Sequence, residues 1–281
     1  MGKKMKTFKS FYKTVGGTKG EKCYYPTRLD TYGKGCYYNC KYCYAKQLLD
    51  FRKFWHNDDV SVAPLDLIKK QIEKIPSGSV VRLGGMTDCF QPLELDIQNT
   101  YNTIKLLNEK KIHYLIVTKS NLITNEKYLN LMDKKLAHIQ ISIESTDNSV
   151  LNFLSNAPNF QIRKNTVETL FKEGFDTSLR LSPIIYNKTD FDEINKINVD
   201  KCLIEFLRCK PKIAKMIPFI DIEDYKVKEN GYRHLELQDK LNIIDKLDFK
   251  EITVCDSVAE HYHYFKENVN YNPNDCCNLS W

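Results

Sequence analysis

Three closely spaced cysteines, Cys36, Cys40 and Cys43, are the residues of this sequence best suited to metal chemistry. They follow Gly35 with the spacing C-x3-C-x2-C. Cysteine thiolates hold four-iron clusters, normally as a set of four, so a set of three leaves one iron with an open coordination position. A metal needs such an open position to bind and activate a ligand directly. The spacing therefore predicts a three-cysteine iron–sulfur site.

Two structural explanations compete with a cluster. With Cys23 or Cys89 as a fourth ligand, the three thiols could form a structural zinc site. They could also be unrelated buried thiols, since free cysteine packs as a small hydrophobic residue. The cluster is favoured over zinc because zinc sites commonly use paired C-x2-C units. Only one such pair, Cys40 with Cys43, occurs in this chain.

The cysteine loop resembles the signature of the radical S-adenosylmethionine (SAM) enzymes, C-x3-C-x-aromatic-C, with Tyr42 as the aromatic residue. Other segments resemble the spore-photoproduct-lyase-like branch, often labelled DNA repair photolyase-like, in the same order over about residues 23–210. These segments are Gly84–Asp88, Gln91–Glu94, Thr118–Ser120, Ser155–Pro158 with Arg163 downstream, and Leu181–Ile185. The cysteine loop is specific for the superfamily, whereas the other segments are persuasive only as a series.

The resemblance implies that the three cysteines hold a [4Fe-4S] cluster whose open iron is chelated by the amine and carboxylate of SAM. It also implies that one electron from the cluster cleaves SAM to methionine and a 5′-deoxyadenosyl radical, which abstracts hydrogen from a substrate. The residues themselves provide three thiolates and a series of polar groups for a pocket. The cofactor-binding residues predicted in this way are Tyr42, Gly84, Gly85, Thr87, Asp88, Lys119, Ser142, Glu144, Arg180 and Ser182.

The glycine pair Gly84 and Gly85 lets the backbone approach a ligand closely, because no side chain intervenes. The resemblance implies that this stretch meets the SAM amino group, with Thr87 or Asp88 nearby. Asp88 would suit an ammonium group, and an ordinary turn cap is the alternative.

Charged and hydroxyl side chains further along the chain are candidates for the rest of SAM. Lys119 and Arg180 could pair with a carboxylate, Arg in a bidentate manner, and the resemblance assigns both to SAM. Ser142 and Glu144 share one face of a predicted strand because strand side chains alternate. They could bind the SAM carboxylate and ribose hydroxyls, or merely line a polar barrel mouth. Ser182, at the end of another predicted strand, joins this set.

Cys89 is the candidate hydrogen donor. Enzymes of the spore photoproduct lyase kind use a cysteine close to this segment to return a hydrogen atom to the product radical. This chain departs from that pattern, because Cys89 follows the Thr87-Asp88 pair instead of preceding it. In an extended strand residues 85, 87 and 89 share a face, so the thiol would point at the site. The alternative is a buried, inert thiol.

The C-terminal cysteines raise a second metal question. Cys255 ends a predicted strand, and Cys276 and Cys277 could fold back towards it, with Cys202 or Cys209 nearby. Four thiolates there would allow an auxiliary cluster or zinc. Adjacent cysteines do not commonly ligate one metal, and no C-x2-C pair is present, which argues against this site.

Strands alternate with helical segments through most of the chain, which favours a parallel β/α architecture. The predicted strands are residues 27–32, 80–85, 114–118, 138–144, 177–185, 201–207 and 251–255, and the predicted helices include 66–75, 95–110, 125–135, 149–155, 161–173 and 237–247. Functional residues of β/α barrels lie at the C-terminal ends of strands, where the motifs fall. We therefore expect an α/β fold, a partial TIM-like (β/α)6 barrel with a C-terminal extension.

A chain of 281 residues fits one such domain. We expect a basic tail at 1–22, the barrel at 23–210 and an extension over 211–281. The tail carries seven lysines and one glutamate, a net charge of +6 that equals the charge of the whole chain. It could contact the phosphates of a nucleic acid through a salt-sensitive attraction, or be an ordinary solvated terminus.

Membrane insertion and export are not expected. No apolar run approaches the roughly 18–20 residues that cross a bilayer, and the N-terminus lacks the apolar core of a signal peptide. Ten cysteines without an export signal indicate a reducing compartment, which predicts a cytoplasmic protein.

The combined prediction is a radical SAM enzyme whose substrate could be a nucleic acid. Such an enzyme requires a one-electron donor such as flavodoxin or ferredoxin. One alternative is the radical modification of a peptide or small metabolite. An alternative of another class is a non-catalytic metal-binding module, which would never cleave SAM.

Overall fold

The computed structural model describes residues 8, 10–13, 24, 25, 27–50, 55 and 59–280. Cys23 and most of the predicted basic tail lie outside these residues. Within them, no helix combines the length and apolar character that crossing a membrane requires.

One large sheet forms the centre of the fold, with strand order β1-β2-β5-β6-β7-β8-β9-β12. Seven of its strands are parallel, and β1 pairs antiparallel with β2 at the edge. The strands of this sheet are β1 Phe11–Lys13, β2 Thr27–Leu29, β5 Val80–Leu83, β6 His113–Thr118, β7 Ala137–Ile143, β8 Asp176–Ile184, β9 Lys201–Phe206 and β12 Glu251–Val254. Two short pairs lie outside it, β3 Tyr32–Gly33 with β4 Ser61–Val62, and β10 Val227–Glu229 with β11 Tyr232–His234. The predicted partial barrel is confirmed.

Helices connect most of the parallel strands. They are α1 Tyr44–Asp50, α2 Leu65–Ile72, α3 Glu94–Ile97, α4 Asn99–Glu109, α5 Glu126–Leu131, α6 Asn148–Leu154, α7 Phe160–Lys172, α8 Phe191–Asn195, α9 Pro211–Met216, α10 Leu237–Ile244 and α11 Ala259–Asn268. The helix predicted over 95–110 is divided at Gln98, which has φ of 55° and separates α3 from α4. The predicted extension after residue 210 begins with α9 and the β10–β11 hairpin.

Alternation along the strands divides the side chains between two environments. On β7, Ile139, Ile141 and Ile143 pack in the hydrophobic core against the helices. Gln140 and Ser142 face the inside of the barrel, where Gln140 accepts a hydrogen bond from Arg180 (2.6 Å). Because successive strand side chains point to opposite faces, every second residue of a strand is available to a site inside the barrel.

The C-terminal segment closes the end of the barrel at which the strands begin. The ammonium group of Lys201, the first residue of β9, donates to the carbonyl of Asn278 (2.8 Å). The side chain of Asn278 donates to Glu251, which opens β12 (2.6 Å), and the Ser280 amide donates to Asp176, which opens β8 (2.9 Å). The opposite end of the barrel, where the strands finish, is therefore left open for a functional site.

Candidate functional site

An open cavity of about 1100 Å³ lies at the C-terminal ends of the strands. Cys36, Cys40 and Cys43 all lie in its wall, together with Trp55. The predicted site residues that share this wall are Tyr42, Gly84, Gly85, Thr87, Asp88, Lys119, Ser142, Arg180 and Ser182. Two predicted residues, Cys89 and Glu144, are not part of it.

The cysteine loop is held in place by two of the segments that the sequence singled out. The side-chain oxygen of Gln91 accepts from the Tyr37 amide (3.0 Å). On the other side, the Asn156 amide donates to the Tyr38 carbonyl (2.9 Å), and the Lys41 amide donates to the Leu154 carbonyl (2.9 Å). These segments therefore position the loop instead of lining the cavity.

The three thiols differ in exposure, since Cys36 is buried whereas Cys40 and Cys43 are partly exposed in the cavity wall. Burial raises the pKa of Cys40 to about 11, with Lys119 acting in the opposite direction. Burial likewise raises the pKa values of Cys36 and Cys43. Thiols of this kind become thiolates by binding a metal, which replaces the proton.

The turn after β5 requires glycine at its first position. Gly84 has φ of +77°, and a Cβ there would lie 2.9 Å from the carbonyl oxygen of Val117. The carboxylate of Asp30 accepts from the amides of Met86 (3.0 Å) and Thr87 (3.4 Å) and so fixes this turn. Asp30 is 2% exposed and was missed in the sequence, where it is a single acidic residue after a short strand.

Asp88 lines the cavity but its carboxylate is taken up by contacts within the protein. It accepts from the Thr118 hydroxyl (2.7 Å) and from the amides of Lys119 (2.8 Å) and Phe90 (2.9 Å). Burial raises its pKa, and these hydrogen bonds partly oppose the rise. This geometry fits the turn-cap alternative, in which Asp88 joins the ends of β5 and β6.

Glu144 is the centre of a buried charge network instead of a free ligand. It is 1% exposed and forms ion pairs with Lys119 (3.1 Å) and Arg163. The Tyr42 hydroxyl also donates to it. Burial alone would raise the pKa of Glu144, but Arg163 and Lys119 outweigh it and lower the pKa. Glu144 therefore positions Tyr42 and Lys119, both of which reach the cavity.

A second ionic group lies on β8 and β9. Glu205 accepts from Arg180 (2.6 Å) and from the Ser182 hydroxyl (2.7 Å). Burial by itself would raise the pKa of Glu205, yet Arg180 and Arg208 lower it. Arg180 is thus already partnered within the protein. Glu205 was not predicted, although period two from Leu203 places it on the inner face of β9.

Cys89 lies in the hydrophobic core, where its exposure is 0%. The extended strand expected through residues 85–89 is absent, because β5 ends at Leu83 and a turn follows. Period-two alternation consequently does not apply to Cys89. Its burial fits the alternative of an inert thiol.

The C-terminal cysteines come together inside the barrel. Cys276 and Cys277 pack with Leu115 and Leu203, and Cys255 borders the same group. In the part of the chain that the structure describes, no three His, Cys, Asp or Glu side chains are placed to share one metal ion. The auxiliary cluster or zinc considered there has no support.

Each cysteine ligand of a four-iron cluster binds a different iron, so the three thiols of the loop need not converge on one point to hold such a cluster. No fourth cysteine lines the cavity among the described residues. The donor set, the close backbone approach at Gly84 and the ammonium group of Lys119 therefore fit a three-cysteine cluster with SAM.

Comparison with protein families gives one match. The model described as Radical SAM superfamily matches residues 31–196, which is more than half of the chain. The chain belongs to the radical SAM superfamily. The residues of this radical SAM domain include the cysteine loop and every predicted cofactor-binding residue. Among curated proteins, no sequence matches the chain.

Solved structures share the fold of this radical SAM protein. A double mutant of spore photoproduct lyase with bound AdoMet and dinucleoside spore photoproduct is similar, with a TM-score of 0.60 and 16% identity over 87% of this chain and 76% of that one. A point mutant of the same lyase has a TM-score of 0.61 and 15% identity over 82% of this chain and 76% of that one. Native anSMEcpe with bound AdoMet has a TM-score of 0.51 and 12% identity over 78% of this chain and 59% of that one. At these identities the similarity shows a common fold.

Proposed function

We propose that this protein is a radical SAM enzyme that holds a [4Fe-4S] cluster on Cys36, Cys40 and Cys43. The observation that carries the proposal is that these thiols share one cavity wall with Gly84 and Lys119. When bound, the cluster supplies one electron to the sulfonium of SAM, which separates into methionine and a 5′-deoxyadenosyl radical that abstracts hydrogen from the substrate.

The chain's own residues bind and orient the cofactor in this proposal. The backbone at Gly84 and Gly85 accepts the close approach of the SAM amino group, since neither residue has a side chain. Lys119, held by Glu144 at 3.1 Å, pairs with the SAM carboxylate. Ser142 and Tyr42 contribute a hydroxyl and an aromatic face.

For the substrate we propose a nucleic acid. The solved lyase structures that share this fold hold a dinucleoside spore photoproduct, and residues 1–22 carry a net charge of +6. The electron donor would be a small one-electron carrier such as flavodoxin or ferredoxin, and the compartment would be the cytoplasm.

The central test is anaerobic reconstitution with iron and sulfide, followed by dithionite and SAM. We expect release of 5′-deoxyadenosine from the wild type and none from Cys43→Ala. Cys89→Ala is the matched control, since it removes a thiol that does not line the cavity; it should keep the cluster absorbance and the release of 5′-deoxyadenosine. A colourless protein that binds zinc and never cleaves SAM would contradict the proposal.

The substrate proposal has its own readout. Thymine-containing duplexes, single strands and peptides would each be supplied with deuterium bound to carbon, and SAM and 5′-deoxyadenosine would be analysed by mass spectrometry. Label transfer from a nucleic acid supports the proposed class. Transfer from a peptide alone would replace it with peptide modification.

A further inference from the structure

A group of three arginines shares the cavity with the cysteine loop. Arg82 on β5, Arg180 on β8 and Arg208 after β9 all line it. The guanidinium of Arg208 lies 5.2 Å from the ring centre of Tyr44 and 5.7 Å from that of Tyr232. Stacking of this kind holds a guanidinium plane without occupying its hydrogen-bond donors.

The carboxylates of the cavity do not balance these cations. Glu205 is shared between Arg180 (2.6 Å) and Arg208 (3.7 Å). Asp88 is occupied by the turn that joins β5 and β6. Throughout the described residues, no carboxylate lies within ion-pair distance of Arg82. The cavity therefore has a positive excess centred on Arg82.

Arg82 is also short of hydrogen bonds. Its Nε atom is buried and has no hydrogen-bond partner among the described residues. Burial lowers the pKa of Arg82, and the neighbouring charges of Arg28 and Arg180 lower it further. A buried donor without a partner and a cation without a counterion both oppose folding. An anion in the cavity would remove both costs.

We propose that Arg82, with Arg180 and Arg208, forms an oxyanion-binding subsite that takes a carboxylate or phosphate group of the substrate. The planar fork of arginine matches both groups with two parallel hydrogen bonds. The inference rests on the proposed function in one respect, that the substrate of the radical enters this cavity. The subsite restricts substrates to those with an oxyanion near the hydrogen that is abstracted.

The test is a titration of the full-length, cluster-reconstituted protein with inorganic phosphate and, separately, with acetate, at constant ionic strength. Binding is followed by isothermal calorimetry and by the thermal unfolding midpoint. We expect saturable binding of at least one anion, and the tighter of the two identifies the preferred group. Arg82→Gln should weaken it about tenfold or more, because a charge-assisted bidentate contact is lost.

Two further variants separate the subsite from general charge and from misfolding. Arg233→Gln removes an equal charge from β11, outside the cavity wall, and should bind the anion as the wild type does. Arg82→Lys keeps the charge without the fork and should give intermediate affinity. Without added anion, Arg82→Gln should unfold at or above the wild-type midpoint, because the repulsion from Arg28 and Arg180 is relieved.

Three results would overturn the subsite. The first is that neither anion binds saturably. The second is that Arg233→Gln loses as much anion affinity as Arg82→Gln. The third is competition between the anion and SAM, which would assign the arginines to the SAM carboxylate. Anion binding by a protein that never cleaves SAM would overturn the proposed function and leave the subsite standing. SAM cleavage without anion binding would overturn the subsite and leave the proposed function standing.

Discussion

At the scale of single residues, the site depends on two kinds of constraint, space and charge. Gly84 illustrates the first, because its neighbour Val117 leaves no room for a side chain. Glu144 illustrates the second, because one carboxylate holds Tyr42, Lys119 and Arg163 together. Each constraint can be removed by one substitution that has a matched control elsewhere in the chain.

Gly84→Ala should destabilise the protein and weaken SAM binding. Alanine at a positive φ costs about 1 kcal/mol or more, and the new Cβ would meet the Val117 carbonyl at 2.9 Å. Gly174→Ala is the control, since Gly174 has φ of +81° but a Cβ added there would have nothing within 4 Å of it. Urea unfolding and SAM titration measure both effects. An equal loss of stability in the two variants would show that the contact with Val117 is unimportant.

Glu144→Gln should cost about 3–5 kcal/mol of unfolding free energy, because it leaves buried cations without their counterion. Glu168→Gln removes a carboxylate that is 30% exposed and 3.8 Å from Lys164, and should cost about 0.5 kcal/mol or less. Denaturant unfolding of both variants provides the measurement. If the two losses are similar, the Glu144 network does not have the role assigned to it.

At the scale of elements, ionic contacts join the beginnings of neighbouring strands, at the end of the barrel opposite the site. Asp176 at the start of β8 binds His138 of β7 (2.6 Å) and Lys201 of β9 (2.7 Å). It also accepts from the Ser280 amide, so three strands and the C-terminal segment meet at one carboxylate. This arrangement stiffens the closed end of the barrel.

The pH dependence of stability should report this contact. Burial alone would raise the pKa of Asp176, but its bonds to His138 and Lys201 lower it to about 2, from 3.8. Because the folded pKa is the lower one, the stabilisation is present above about pH 4 and is lost as the pH falls towards 2. It amounts to about 2 kcal/mol.

Asp176→Asn should therefore be less stable than the wild type at pH 7, and the gap should narrow by pH 2–3. Asp66→Asn, on the exposed face of α2, is the control and should follow the wild-type curve. Urea unfolding across this pH range is the measurement. A gap that stays constant would mean that Asp176 acts without its charge.

At the scale of the whole molecule, the positive charge is concentrated at one end of the sequence. Residues 1–22 hold a net +6, equal to that of the complete chain. Part of this segment is in the sheet, since Phe11–Lys13 forms β1 beside β2. The lysines nearest the N-terminus, Lys3, Lys4 and Lys6, lie outside the residues that the structure describes.

Replacing Lys3, Lys4 and Lys6 with Gln should weaken binding to single-stranded or duplex DNA. If all three contact phosphates, the slope of log K against log salt should shrink by about 2–3. Replacing the exposed Lys69, Lys70 and Lys74 with Gln makes the same change of charge elsewhere and should leave the slope unchanged. Anisotropy titrations between low and physiological salt give the slopes. Equal changes in both triple variants would contradict a specific role for the tail.

The strand rhythm predicted the barrel from sequence alone, and the resemblance of the cysteine loop to a known signature implied the superfamily. Both are local properties: Cys36, Cys40 and Cys43 fall within one short loop, and strand alternation is set by neighbouring residues. Twelve of the fourteen predicted site residues line the cavity, all except Cys89 and Glu144. Cys89 departed because a turn replaced the strand that was assumed to reach it.

Only the tertiary structure decided which distant residues meet. Asp30 reaches Met86, Glu144 reaches Tyr42, and Gln140 donates to the carbonyl of Cys277 (3.3 Å), 137 positions away. No local pattern encodes such contacts, because the closure of the barrel and the return of the C-terminal segment create them. The arginine group around Arg82 is of this kind. Its members come from β5, from β8 and from the segment after β9, and the folding of the barrel brings their charges together.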